Sequence, residues 1–251
     1  MKELTQNTPK PLLEIQGVRF LDYAFFLVKE WGAKDILLNT HFLSEQFDDW
    51  ARMQNLEEDR KIRISKEESI LGTGGGIFTG IQKFWYPELI PKRINPGKSN
   101  LPAQNIEKFL VMNPDTLLFP ENSDFTPAAN QPSDSLCHLY LLPKKPTDNY
   151  TGLGLENGHV RFLDSSHPSK SEYYYCGLSV FKPEAFQFLP WNPGEKYELS
   201  TLWKSLSINN LLTGEVFPGK AMDVGEKELF DQLNSQKDFW GNLKTKIYTK
   251  N

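Results

Sequence analysis

Four groups of residues in this chain are of the right type for phosphate and metal chemistry. They are a Gly72-Thr73-Gly74-Gly75-Gly76 run, Asn113-Pro114-Asp115 further on, Lys10 between Pro9 and Pro11, and Asp223 near the end. Consecutive glycines leave the main chain free to take positive dihedrals and let a ligand approach it without meeting a side chain, and they rarely arise for packing alone. Residues 77–84 carry apolar side chains at helical intervals. The run is therefore expected to open onto a helix N-terminus, where N–H groups and the macrodipole favour anions. It matches neither the G-x-G-x-x-G nor the P-loop fingerprint, so glycine richness alone names no ligand, and a mobile surface loop also fits it.

Asp115 follows a short buried-looking run at 109–112, and Asp223 follows Ala221-Met222. In an open parallel sheet ligands bind beyond the carboxyl ends of strands, so both acids are well placed to meet one. Two aspartates from distant parts of a chain can share one Mg²⁺, which takes few protein oxygens and leaves positions for phosphate oxygens. Read singly, each also fits a turn or helix-cap aspartate. Lys10 precedes a proline, which predicts an extended backbone and suits a point charge held toward a phosphate; an exposed lysine in a rigid turn is the plain alternative. Together these groups are the parts of a site for a nucleoside phosphate and a metal. His41, His138, His159 and His167 have no ligand spacing and no nucleophile nearby, and Cys137 and Cys176 form neither a disulfide framework nor a metal pattern. Tyr173, Tyr174 and Tyr175 read as a half-buried strand belonging to the core.

The elements that must position these groups alternate. Residues 20–31 predict a helix closed by Gly32, 35–39 a buried strand, 43–53 an amphipathic helix, and 61–66 and 109–112 further strands. Such alternation predicts an α/β fold: a Rossmann-like, mostly parallel sheet flanked by helices. Between 86 and 105 prolines accumulate and periodicity fails, which predicts an inserted loop; 121–135 has a similar character. Strands are then expected at 136–142 and 173–181, with a hairpin at 152–163 turning at Asn157-Gly158, giving a smaller β-rich region. Helices are expected at 183–189, 199–206 and 226–233, followed by a basic, polar tail. One domain over 1–251 accommodates this, with a nucleotide-binding part at 1–135, a sugar and metal part at 136–225, and a C-terminal helix and tail at 226–251.

The chain has 251 residues, 39% of them hydrophobic, and a formal charge of −4. That charge, with acids and bases interspersed, supplies no basic field for a nucleic-acid partner. No apolar stretch reaches bilayer-spanning length and the polar start does not read as a secretory signal, so the expected setting is the cytoplasm.

In order, Leu4-Thr5, residues 8–13 around Lys10, Asn39-Thr40-His41, Gln46, Glu68, Leu71 to Ile77, Asn113-Pro114-Asp115 and residues 221–225 around Asp223 resemble the sugar-1-phosphate nucleotidyltransferase family. The likeness is nearest the mannose-1-phosphate guanylyltransferase and N-acetylmuramate-1-phosphate uridylyltransferase group, whose loop carries a similar extra glycine. The resemblance implies a domain that joins an NTP to a sugar 1-phosphate and releases pyrophosphate. It implies Mg²⁺ on Asp115 and Asp223, Lys10 on phosphate oxygens, and Leu71, Gly72, Thr73, Gly74 and Gly75, with Asn113, around the nucleotide. The sugar would lie near residues 150–154 and 172–177. Attack of a phosphate oxygen on an α-phosphorus needs positioning and charge compensation rather than a side-chain nucleophile, so the lack of a convincing Ser, Cys or His is expected.

The family opens with a buried strand and a glycine-rich loop ending in arginine, ahead of the Leu-Thr pair. Here Met1 falls just before that pair. Losing a central strand leaves neighbouring backbone groups unpaired at about 1–3 kcal/mol each. The expectation is therefore that roughly twenty further residues lie upstream, one strand plus a phosphate-binding turn. Two alternatives stay open: a catalytically inactive nucleotide-sugar-binding or regulatory relative, and a cytidylyltransferase acting on a non-sugar phosphate such as phosphocholine.

Overall fold

A computed structural model describes residues 3–54, 61–86, 107–129, 131–162, 172–190, 192 and 195–249. Most of the expected proline-rich insertion, Leu163 and His167 lie outside the described residues. After a 3-10 turn at Lys10–Leu12, a hairpin of β1 (Glu14–Ile15) and β2 (Val18–Arg19) leads into α1 (Phe20–Glu30). Then β3 (Asp35–Thr40), α2 (Ser44–Gln54), β4 (Lys61–Lys66) and α3 (Gly72–Phe84) alternate as the periodicity predicts. Strands dominate next: β5 (Phe109–Met112), β6 (Thr116–Pro120), β7 (Cys137–Pro143), β8 (Leu153–Glu156), β9 (His159–Phe162) and β10 (Tyr173–Phe181). The chain continues through α4 (Leu199–Ile208), β11 (Leu212–Val216), β12 (Gly219–Asp223), α5 (Lys227–Asn234) and α6 (Lys237–Thr249). The expected β8–β9 hairpin is present, with Asn157 and Gly158 both at positive φ and Glu156 opposite His159.

The α/β class holds, but the strand pairing is mixed rather than mostly parallel. β3 pairs β4 and β7 pairs β11 in parallel, whereas β10 runs antiparallel to β5, β7 and β8, and β9 is antiparallel to β8 and β11. A parallel neighbour needs a long crossover, usually a helix. Between β5 and β10 the described residues contain strands and a 3-10 turn but no α-helix. The main sheet runs β5-β10-β7-β11-β9-β8, and β6 and β12 form a separate antiparallel ribbon.

The β3–β4 pair and β5 pack against the same two helices. On one face Leu21 and Phe25 of α1 pack with Ile36 and Leu38 of β3, while Phe20, Tyr23 and Leu27 of the same helix belong to a cluster with Leu110 and Met112 of β5. On the other face α3 covers both, through Phe78 and Trp85, in a cluster that includes Leu37, Phe109 and Val111. Among the described residues β3 bonds only β4 and β5 bonds only β10. All four β5 residues, though apolar, are only partly buried.

The C-terminal tail is a helix rather than an irregular segment. Trp240, Leu243 and Ile247 recur on one face of α6 and join the cluster beneath α1, with Trp240 only 1% exposed. The Tyr248 hydroxyl donates to Asp22 Oδ2 at 2.6 Å, and the Trp50 indole donates to Asp22 Oδ1 at 2.7 Å, so the buried Asp22 carboxylate is satisfied by two donors. Lysines at the intervening positions hide this apolar stripe in the composition.

His138 is buried in β7, its Nδ1 2.9 Å from Thr213 Oγ1 and its Nε2 3.9 Å from Glu215 Oε1. Loss of hydration holds its imidazole below the usual range against the opposing pull of Glu215. A base depressed in the fold is neutral there while the unfolded chain takes up a proton near pH 6.5. Its contribution is then whole above that pH and is lost as pH falls below it. The thermal midpoint should therefore drop between pH 7 and 5, and a scan of His138→Asn should give a flatter profile; identical slopes would remove the assignment.

Candidate active site

The β6–β12 ribbon brings the two aspartates together. Asp223 is the last residue of β12 and stands opposite Thr116, and the Val224 N–H donates to the Asp115 carbonyl at 3.2 Å. Lys10 reaches both acids: its Nζ donates to Asp115 Oδ2 at 2.5 Å and stands 3.8 Å from Asp223 Oδ1. Lys10 is not extended as its following proline suggests. Pro9 is extended, but the Leu12 N–H bonds the Pro9 carbonyl at 2.8 Å and the Leu13 N–H bonds that of Lys10 at 3.1 Å, closing a 3-10 turn that starts at Lys10. Those two bonds and Pro11 in the first turn outweigh the pre-proline preference.

Asn113 follows β5 directly, and its N–H donates to the Gly177 carbonyl at 2.8 Å, which ties it to β10. It borders a cavity of about 240 Å³ together with Thr116, Tyr150, Tyr174, Trp203 and Asp223. The stretches around 150–154 and 172–177 both contribute to this wall, as Tyr150, Thr151 and Leu153 on one side and Tyr174, Tyr175, Cys176 and Gly177 on the other. Tyr174 is thus a wall residue rather than a core one. Alternation along β10 sends Tyr173 and Tyr175 into the main apolar cluster and Tyr174 to the opposite face, a period-2 signal available in the sequence. The Tyr150 and Tyr174 rings stack with centroids 4.3 Å apart and planes within 6°. The Tyr150 hydroxyl donates to Asp223 Oδ2 at 3.2 Å. Desolvation, and then the Asp223 charge, push its phenol up to about 12, so it remains a donor at neutral pH.

Leu71, Gly72, Thr73, Gly74 and Gly75 lie at the start of α3, outside that cavity wall but against the turn that starts α4, whose Ser200 and Trp203 belong to it. The helix begins within the glycine run, not after it. The Leu71 N–H bonds Glu67 Oε2 at 3.1 Å, the Tyr197 N–H bonds the Leu71 carbonyl at 2.8 Å and the Gly75 N–H bonds the Tyr197 carbonyl at 3.1 Å. Gly72 has φ +73° and a Cβ there would stand 2.5 Å from the Tyr197 carbonyl oxygen; at Gly76 it would stand 2.1 Å from Glu67 Oε1. Close packing therefore requires glycine at position 72, where the obstacle is backbone, whereas at position 76 it is the ends of the Glu67 and Asn39 side chains. Glu67, rather than the neighbouring Glu68 of the motif, makes these contacts, and also accepts from Asn39 Nδ2 at 2.6 Å.

The formal charge of Lys10 with Asp115 and Asp223 is −1, a hard-oxygen pair converging on one cationic group. Among the described residues no cluster of three or more His, Cys, Asp or Glu side chains offers a richer ligand set. None of their helices is long and apolar enough to cross a membrane.

The mixed sheet flanked by helices is a fold shared with solved proteins at low sequence identity. It superposes on the solved UDP-glucose pyrophosphorylase complexed with UDP-glucose (TM-score 0.70, 14% identity, 95% of this chain and 92% of that one). It also superposes on HddC from Yersinia pseudotuberculosis complexed with GMP-PN (TM-score 0.62, 17% identity, 94% and 93%). In sequence the chain is similar to sugar-1-phosphate nucleotidyltransferases, as its motifs indicate. It is 25% identical to an N-acetylmuramate alpha-1-phosphate uridylyltransferase of Neisseria meningitidis over 90% of this chain and 87% of that protein. It is 24% identical to mannose-1-phosphate guanyltransferase 2 of Candida glabrata over 92% of this chain, spanning 59% of that relative's length. No protein-family model matches the chain.

Proposed function

We propose that this protein transfers a nucleotidyl group from an NTP to a sugar 1-phosphate, forming an NDP-sugar and pyrophosphate. The observation that carries the reading is the meeting of Asp115, Asp223 and Lys10 at the rim of a cavity lined by the two stretches that the family resemblance gives to the sugar. In this reaction an oxygen of the sugar phosphate bonds to the α-phosphorus as the bond to the bridging oxygen breaks, and the β- and γ-phosphates leave together. No side chain is needed as nucleophile. The work left to the protein is to hold two anions in line and offset their charge.

Lys10 supplies one positive charge, but its two carboxylate neighbours leave the trio negative before any phosphate arrives. Asp115 and Asp223 would hold Mg²⁺, which supplies charge compensation at phosphate oxygens. The start of α3, with Leu71 and the glycines beside it, would lie along the nucleotide, where the helix N-terminal dipole favours its phosphates. The cytoplasm, where NTPs are plentiful, is the matching setting, and cell-envelope polysaccharide is a fitting destination for the product.

The test is pyrophosphate release from each of the four NTPs with a panel of sugar 1-phosphates and Mg²⁺. Release that depends on NTP, sugar phosphate and metal is expected. Absence of release in every combination, with nucleotide sugar still bound, would replace transfer by a binding role.

A further inference from the structure

We propose that the Asn39-Thr40-His41 stretch and Glu67 form a strut that holds the start of α3 in place for the nucleotide, with Glu67 as the positioning residue; the inference rests on the transfer reading above. β3 and β4 run parallel with Asn39 opposite Ser65 and Thr40 opposite Lys66, so the residues that follow the two strands emerge side by side. All three residues of the stretch then converge on Glu67. The Glu67 N–H donates to the Thr40 carbonyl at 2.8 Å, and the Asn39 amide donates to Glu67 Oε1 at 2.6 Å. His41 Nδ1 stands 2.9 Å from the Glu67 carbonyl. A carbonyl only accepts, so that ring nitrogen carries the proton.

The second carboxylate oxygen carries the connection onward. Glu67 Oε2 accepts the Leu71 N–H at 3.1 Å, which joins the end of β3 to the first residue of the segment read as lying along the nucleotide. Leu71 is held from its other side too, its carbonyl accepting the Tyr197 N–H at 2.8 Å. Gly72 follows at once in the left-handed region, so the path of the chain into α3 depends on where Leu71 stands. The Asn39–Glu67 pair also lies against the first turns of the helix: a Cβ at Gly76 would stand 2.1 Å from Glu67 Oε1 and 2.2 Å from Asn39 Nδ2. Glu67 is half-buried there, whereas Lys66 and Glu68 on either side are exposed. Hydrogen bonds to an ionised acceptor are roughly twice as strong as neutral ones, which suits a carboxylate to this place. Loss of the strut should let Leu71 to Gly75 shift and weaken the hold on nucleotide, while Asp115 and Asp223 stay fixed by their own ribbon.

The experiment measures the dissociation constant of each NTP by calorimetry without acceptor, and KM and kcat for pyrophosphate release, with melting temperature as the check on folding. In Glu67→Ala the dissociation constant and KM for the preferred NTP should rise about 10-fold, the factor given by about 1.4 kcal/mol, with kcat and the KM for the sugar phosphate unchanged. Asn39→Asp sets two carboxylates against each other and should give the same loss. Glu67→Gln should bind nearly as the parent does, because its amide oxygen still accepts the Leu71 N–H and its NH₂ meets Asn39 once that amide turns over. Combining Asn39→Asp with Glu67→Gln restores a donor opposite an acceptor and should recover the parent affinity, which a merely weakened fold would not do. Unchanged NTP affinity in Glu67→Ala, or a double variant as weak as Asn39→Asp alone, overturns the strut and leaves nucleotidyl transfer standing. Absence of pyrophosphate release in the parent removes the transfer reading, while the calorimetric series still decides the strut; a parent that binds no NTP removes both.

Discussion

Asp115→Asn and Asp223→Asn should each lower turnover roughly 10²–10³-fold, the range found when one group that offsets transition-state charge is removed. The fold should survive. The Lys10–Asp115 pair is 26% and 27% exposed at its two side chains, and partly exposed ion pairs contribute little to stability. Asparagine also keeps an acceptor for Lys10 at position 115 and for the Tyr150 hydroxyl at position 223. If both acids hold one ion, the double variant should be hardly slower than either single one, because groups acting as a unit are not additive. Steady-state pyrophosphate release at increasing Mg²⁺, with circular dichroism as the check on folding, measures this. Near-normal rates in both single variants would show that the metal-bearing acids have been misplaced.

Gly72→Ala is expected to lower stability by about 3 kcal/mol. Two costs add there: the left-handed backbone, about 1–2 kcal/mol for a residue with a Cβ, and overpacking against a carbonyl that has no room to retreat, about 1–3 kcal/mol. The Tyr197 carbonyl that a Cβ would strike already accepts the Gly75 N–H, so it cannot move away without releasing that bond. For a domain of this size 3 kcal/mol corresponds to a fall in melting temperature of about 6–12 °C. Gly241→Ala is the control. It lies inside α6, where an added methyl group would meet nothing within 4 Å and φ is not positive, so alanine there should raise stability by about 0.5–1 kcal/mol. Equal melting temperatures for the two variants would contradict the packing account of the glycine run.

The sequence discloses the front half of the fold well because its helices and strands have strong, separate periods. The strands at 61–66, 109–112 and 173–181 match the ladders residue for residue. The β6–β12 ribbon is harder to see. Thr116–Pro120 and Gly219–Asp223 are five residues each and pair only with one another across a long separation, so neither carries a local signal of its partner. Parallel versus antiparallel order is likewise a matter of return path, which local periodicity does not encode. α6 is concealed for a different reason, since three well-spaced apolar residues are enough to dock a helix whose other faces are polar.

The candidate site divides the same way. Asp115, Asp223 and Lys10 are legible as residue types after turns and strands, and the structure brings them to a common point. The glycines are legible as unusual backbone, but the reason for Gly72 is the pressure of the Tyr197 carbonyl, which only a folded chain brings near. Tyr150 enters the sequence reading only as part of the stretch 150–154 that the resemblance gives to the sugar; its contacts with Tyr174 and Asp223 come from the fold.

The two acids sit at one end of a cross-bonded pair of strands, so the distance between them is set by the pitch of a backbone ladder and not by loop conformation. A ladder works as a ruler. The lengths and side chains of the segments around it can change without altering the spacing of the carboxylates that the paired strands fix.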